Sequence, residues 1–450
     1  MAFATAPVAV IPAHNLLVLL LQLGLLLGLA TLLGRLAARL GLPPLLGELC
    51  AGILIGPSLL ANAAPDLSAW LFPTDPARFH MIDAIGQLGV LLLVGLTGVH
   101  LDLGFIRRQG RSAAWISGAG LIVPLVLGVG IGFLAPAELI ADGVDQTVFA
   151  LFLGVALCVS AIPVIAKVLT EMRLLHRDIG QLILSTAIID DVVGWLLLSV
   201  VSALATAGAR TGQAALTAIA LLAVLVLVAV VLGRRVVDTV LRVAGRGEGG
   251  IPTVAAVTVM ILLSAAATHA MGFEAILGAL VCGALVGSSP HLSPARLAPL
   301  QMIVAAVLAP IFFATAGLRM DLTELAKPSV LGAGILVLTV AIAAKFAGAY
   351  LGALIARRNR WEALALGAGL NSRGVIEVII AMVGLRLGVL TTASYTVIVL
   401  VAVVTSMMAP PLLRLAASRI APTEEEPARE EFFDTLQTPG RELVTTAKEA

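Results

Sequence analysis

The chain has 450 residues, 60% of them hydrophobic and only 12% charged, with a formal net charge of +1 and a mean hydropathy of +1.07. A water-soluble domain carries about 25% charged residues, so this composition excludes one and describes a polytopic membrane protein. The near-zero net charge also excludes a nucleic-acid partner on electrostatic grounds.

Apolar runs of about 20 residues mark membrane helices. In chain order they fall near 16–38, 43–61, 83–101, 112–135, 147–169, 179–206, 213–233, 251–271, 273–289, 297–318, 329–356, 361–385 and 391–415. That predicts an all-α fold of about 13 transmembrane helices in a lipid bilayer. Met1 to Asn15 holds no Lys or Arg, unlike the basic start of a cleaved leader. Arg35 and Arg39, Arg107, Arg108 and Arg111, Lys167, Arg173 and Arg177, Arg234, Arg235, Arg242 and Arg246, Arg296, and Arg357, Arg358 and Arg360 all sort to one side of these spans. The positive-inside rule then puts the N-terminus outside the cell membrane and the C-terminus in the cytoplasm. Cys50, Cys158 and Cys282 sit in apolar segments without ligand spacing and read as packing residues. With neither a phosphate-cradling Gly-rich loop nor a His/Cys cluster, no cofactor and no enzymatic nucleophile are expected.

Two stretches repeat. Ala51-Gly52-Ile-Leu-Ile-Gly56-Pro-Ser58 resembles Cys282-Gly283-Ala-Leu-Val-Gly287-Ser-Ser289, and Gly98-Val-His-Leu-Asp102-Leu resembles Gly317-Leu-Arg-Met-Asp321-Leu. Both matches relate spans seven apart, and an odd offset inverts the second copy. An inverted-topology repeat is therefore expected inside a 1–420 membrane domain, with copies over about 16–206 and 251–415 and a linker helix near 213–233. Transporters built this way hold substrate near the midplane, between interrupted helices. One interruption is predicted at Val159-Ser160-Ala-Ile-Pro163, where a proline inside a span removes a backbone bond. Its counterpart is Asn371-Ser372-Arg373-Gly374, where unwound backbone leaves carbonyls for a cation. A single such residue in a membrane helix commonly does no more than bend it; two in symmetry-related spans argue for unwound, crossing helices. From 421 to 450 the chain turns acidic, and a short disordered cytoplasmic tail, too small for a nucleotide-binding domain, is expected.

Few charges lie deep. Asp190 and Asp191 occupy the middle of an uncharged run, and an ionisable group at that depth is costly and marks a functional site. Adjacent helix positions point about 100° apart, so one carboxylate can meet a fixed counter-charge while its neighbour faces a cavity. Lys345 is the obvious counter-charge, because burial penalises the charged form of each group alone. A purely structural Lys–Asp clamp is the plainer alternative, and the two roles are compatible. Arg373 and Glu377, four apart, share a helix face and can pair, which suits a structural or gating role.

These residues stand in runs that resemble a known family. Ser160-Ala-Ile-Pro-Val-Ile-Ala-Lys-Val-Leu-Thr-Glu-Met-Arg-Leu-Leu-His-Arg-Asp-Ile-Gly180, continuing to Ile189-Asp190-Asp191-Val-Val-Gly-Trp195, resembles the monovalent cation:proton antiporter superfamily. So do Ala309-Pro-Ile-Phe-Phe-Ala-Thr-Ala-Gly-Leu-Arg319, Asn371-Ser-Arg-Gly-Val-Ile-Glu-Val-Ile-Ile380, and Gly47-Glu48 with Gly52 and Gly56-Pro57-Ser58. The branch is that of plant CHX exchangers and bacterial Na+/H+ and K+/H+ antiporters. The resemblance implies a homodimer in which a mobile bundle carries the unwound helices in elevator fashion. It implies that Asp191 is the chief cation- and proton-binding carboxylate, that Asp190 pairs with Lys345, and that Ser160 and nearby backbone line the site. The plant branch usually has Asn-Asp where this chain has Asp190-Asp191; the double acid resembles bacterial electrogenic Na+/H+ exchangers and weakens a K+ assignment, so Na+ is the favoured cation, with K+ and Li+ as alternatives. A cation channel or efflux system of similar fold, or an exporter of an organic molecule reusing it, remain as other classes.

Overall fold

The computed structural model describes residues 11–72, 76–101, 103–207, 220–225, 227–245, 250–424, 426 and 427. Among these residues there is no strand, and the principal helices are α1 (Ala13–Arg39), α2 (Pro44–Ile55), α3 (Pro76–Val99), α4 (Leu103–Gly132), α5 (Gln146–Cys158), α6 (Ile162–Glu171), α7 (Asp178–Ala207), α8 (Arg234–Ala244), α9 (Ile251–Ala270), α10 (Ala275–Gly287), α11 (Ala309–Leu318), α12 (Pro328–Ile355), α13 (Arg360–Leu370), α14 (Val375–Arg386) and α15 (Thr392–Ala417). Ten helices among the described residues are long and apolar enough to cross a membrane, or eleven when α13 and α14 count as one span bent by 44°. This falls short of the expected thirteen for two reasons. The span at 213–233 lies partly outside the described residues, and α10 has only 13 residues, less than the roughly 20 that a crossing needs.

Side-chain caps fix where several spans begin. The Asp145 carboxylate accepts from the Thr147 amide at 2.8 Å ahead of α5. Asn359 and Glu362 form a reciprocal capping box at the start of α13, as do Thr391 and Ser394 ahead of α15, each satisfying amides the helix leaves open. Large apolar side chains such as Leu20, Leu32, Val259, Leu263 and Ile335 stand more than half exposed along the helices. Water disfavours such a surface, whereas lipid tails match it.

The helices gather into two compact units. One comprises the described residues of 1–99, Ala229–Ala270 and Gly278–Ala326. Its packing is set by small residues from the two repeated stretches. A Cβ on Gly52 would run into the Ala314 carbonyl and the backbone of Gly317 and Leu318, while one on Gly283 would run into the Gly95 carbonyl and the Gly98 backbone. The second span thus meets the tenth as the ninth meets the third, which is the reciprocity that exchanging two copies demands. Asp102, at the end of one repeated stretch, lies outside the described residues.

The other unit comprises the described residues of 100–228, Met271–Leu277 and 327–450. Here α12 lies backbone-to-backbone on α4: a Cβ on Gly348 would come within 2.5 Å of the Ala119 carbonyl, and one on Gly352 within 2.6 Å of the Ile116 Cα. Small residues permit this approach in a membrane bundle. The fit places Lys345, one turn before Gly348, beside the turn of α4 that carries Ser117 and Gly120.

The described start of the tail, up to residue 427, is docked on the helices. Glu426 is buried rather than solvated. Its carboxylate accepts from Arg177 Nε at 3.0 Å and from the Asp178 amide at 3.0 Å, closing the first turn of α7, where negative charge is favoured. Arg177 also donates to the carbonyls of Ala417 and Ile420 at the end of α15, and Thr423 donates to Asp178 Oδ2 at 2.8 Å. The sequence signal that misled is the charge run, which reads as hydrophilic whether or not a helix end receives it. Residues 428–450 lie outside the described residues. Glu426→Ala is expected to cost about 1–2 kcal/mol locally and to speed proteolytic trimming of the C-terminal end. Unchanged trimming would count against the docked arrangement.

Candidate functional site

The site is built where two helix interruptions meet. Helix ends at Cys158 and resumes at Ile162, and again ends at Leu370 and resumes at Val375. The Ala161 amide donates to the Ser372 carbonyl at 3.2 Å, joining one junction to the other. Pro163 lies in the first turn of α6 rather than inside a continuous helix. Its missing N–H costs nothing there, so it starts the second half-helix instead of breaking the first. Gly374 precedes α14 with φ 156° and ψ −101°, a backbone that side-chain-bearing residues rarely adopt.

Unwinding is expected to leave carbonyls for a cation, and several carbonyls at the two junctions are instead covered by side-chain donors. Arg373, fully buried, donates to the Leu157 carbonyl at 2.6 Å, to Ala341 at 3.0 Å and to Ala156 at 3.5 Å. Lys345 Nζ donates to the Cys158 carbonyl at 2.7 Å. Two cations therefore sit on the negative end of α5, where the last carbonyls lack intrahelical partners. On the other junction, the Leu370 carbonyl lies 2.9 Å from Ser160 Oγ, and the Arg373 carbonyl accepts from Ser406 Oγ. An apolar interior forces these groups to find donors. Arg373 also pairs with Glu377 at 2.8 Å, so the pair doubles as a helix-end clamp.

Asp190 and Asp191 project from the middle of α7, with exposures of 0% and 2%. Asp190 is fully engaged. Its Oδ1 accepts from Ser117 Oγ at 2.6 Å, and its Oδ2 accepts from Lys345 Nζ at 2.8 Å and Ser160 Oγ at 2.8 Å. Lys345 adds bonds to the Cys158 and Gly120 carbonyls, the latter at 3.1 Å, which uses all three ammonium hydrogens. Asp191 is the reverse. Neither of its oxygens has a hydrogen-bond partner among the described residues. Asp191 follows Asp190 directly on α7, next to the Asp190–Lys345 pair. The side-chain atoms of Asn371 and the Ser372 hydroxyl are likewise buried without partners. Ser117 and Gly120 were not among the residues singled out in the sequence.

Comparison with known proteins decides the family. Residues 25–417 match the family described as sodium/hydrogen exchanger, transmembrane. The chain belongs to that family. This exchanger is 34% identical over 406 residues to the Na(+)/H(+) antiporter NhaS4 of Synechocystis, covering 89% of this chain and 97% of the relative. It is 31% identical over 404 residues to Cation/H(+) antiporter 17 of Arabidopsis thaliana, spanning 89% of itself but 48% of that longer protein. In fold it is similar to the solved sodium proton antiporter MjNhaP1 of Methanocaldococcus jannaschii, with TM-score 0.64 and 16% identity over 90% of this chain and 97% of the other. The exchanger is thus a multi-pass membrane protein of the monovalent cation:proton antiporter superfamily, and a cation/H+ antiporter.

Proposed function

We propose that this antiporter exchanges a monovalent cation, Na+ ahead of K+, for protons by competition at Asp191, with Asp190 held on Lys345. The contrast between the neighbours carries this reading: among the described residues Asp190 has three donors, and Asp191, almost as deeply buried, has none. An isolated buried carboxylate is costly until something neutralises it. A proton or a cation each supplies one positive charge, and the two exclude one another. Ser160, Asn371 and Ser372 offer hard oxygen atoms at the two junctions, which suit Na+, Li+ or K+ better than a softer metal.

If the arriving cation also recruits Asp190, Lys345 loses its partner and releases its proton. Two protons then move per cation. Exchange becomes electrogenic, and each 100 mV of membrane potential contributes about 2.3 kcal/mol per charge. The unit containing both helix junctions carries the loaded site across the bilayer in elevator fashion, in a homodimer whose N-termini lie outside the cell and C-termini in the cytoplasm. Similarity to the Na(+)/H(+) antiporter NhaS4 supports the Na+ assignment.

Fluorescence dequenching in vesicles, with Na+, Li+ and K+ offered in turn across a pH series, tests the exchange. Na+ and Li+ should drive proton movement and K+ much less. An imposed Na+ gradient at symmetric pH should also produce a current; verified exchange without one removes the two-proton scheme. Cation flux without proton counterflow would replace an antiporter with a channel.

A further inference from the structure

Ser117 lies on α4, outside every stretch that marks this site in the sequence. It is 1% exposed, and its hydroxyl lies 2.6 Å from Asp190 Oδ1. Many hydroxyls in these helices instead donate to the carbonyl four residues earlier, as those of Thr97, Thr186, Ser199, Thr315 and Thr405 do. Ser117 makes no such bond among the described residues, so its one hydrogen is committed to the carboxylate.

The other donors to Asp190 are less exclusive. Ser160 also has one hydrogen, but two acceptors within reach, Asp190 Oδ2 at 2.8 Å and the Leu370 carbonyl at 2.9 Å. Lys345 divides its hydrogens among Asp190 and the carbonyls of Gly120 and Cys158. Ser117 and Gly120 stand three apart, on one face of α4. A single turn of α4 therefore grips both members of the Asp190–Lys345 pair, the carboxylate by a donor and the ammonium by an acceptor.

We propose that Ser117 is a positioning residue for exchange: it holds the Asp190 carboxylate on Lys345 and so keeps the Lys345 ammonium from competing with the cation at Asp191. This rests on the exchange reading above. Lys345 is bonded to Asp190 at 2.8 Å, the residue immediately before Asp191 on α7. When Asp190 loses its Oδ1 anchor its carboxylate can turn, and an ammonium less firmly held has Asp191 as an adjacent acceptor without donors of its own. An internal cation at Asp191 raises the concentration of Na+ needed to displace it while leaving the loaded transporter unchanged.

The test is Na+-dependent proton movement by the full chain in vesicles, with Na+ titrated at fixed pH. Ser117→Ala should raise the apparent KM for Na+ by about tenfold, with kcat within about twofold, as expected for one hydrogen bond to a charged group. Ser117→Cys, nearly the same size but a weak donor, should follow Ala and carries the test if the Ala variant does not fold. Ser117→Thr, which keeps the hydroxyl, should restore the KM. A wild-type KM in the Cys variant overturns the proposal, as does a rise in the Thr variant equal to that in Cys, which would reflect packing alone. Asp191→Asn in the same vesicles separates the two levels. If it is inactive while the Ser117 variants behave as wild type, only the positioning role falls; if it still exchanges, the site itself is misassigned.

Discussion

Asp191→Asn is expected to reduce Na+-driven proton movement to the background of empty vesicles. The amide matches the carboxylate in size but neither binds a proton near neutral pH nor balances a cation's charge. The expected effect on stability runs the other way. Among the described residues Asp191 makes no hydrogen bond that the substitution would break, and a buried carboxylate without donors contributes nothing favourable to folding. The melting temperature should therefore be unchanged or slightly higher. Loss of exchange in a protein of undiminished stability assigns Asp191 to transport; substantial exchange in the variant would sink that assignment.

The opposite pattern is expected at Lys345. Lys345→Gln leaves Asp190 with two hydroxyl donors and no counter-charge, and it weakens the hold on the Cys158 and Gly120 carbonyls. Breaking a buried ion pair from one side costs about 3–5 kcal/mol, which corresponds to a fall in melting temperature on the order of 5 °C. Asp190→Asn should be destabilising for the mirror reason. The double variant Asp190→Asn with Lys345→Gln removes both charges and should recover part of the loss. Thermal unfolding of the four proteins checks this: an unshifted Lys345→Gln midpoint, or a double variant as unstable as the two single losses added, would show that the pair does not bear on stability.

Charges were the legible part of this site. In a chain with so few ionisable residues deep in apolar runs, Asp190, Lys345, Arg373 and Glu377 formed a short inventory, and the structure places them in two ion pairs of 2.8 Å. Repeated glycines likewise announced themselves, because close approach of helices leaves small residues at fixed spacing, and Gly52 and Gly283 do make such approaches. What stayed hidden was carried by residues with ordinary alternatives. A serine in a membrane helix has a carbonyl of its own helix waiting for it, so nothing in the local sequence separates Ser117 from the hydroxyls that simply bond back. Pro163 was visible, but its position relative to the junction was not: whether a proline breaks a helix or begins one depends on where the preceding half-helix stops. The donors that cover several of the junction carbonyls were hidden for a related reason. Sequence shows that a helix is interrupted, but not which distant side chains come to cover the ends.

The cap that Glu426 places on α7 has a practical consequence. The helix bearing both aspartates is finished, at its first turn, by a residue well beyond the last span. A protein shortened before Thr423 for crystallisation, or joined there to a fluorescent reporter, would uncover Arg177 and the Asp178 amide together. The helix that carries Asp190 and Asp191 would then be studied with one end unfastened, and boundaries for expression belong after residue 427.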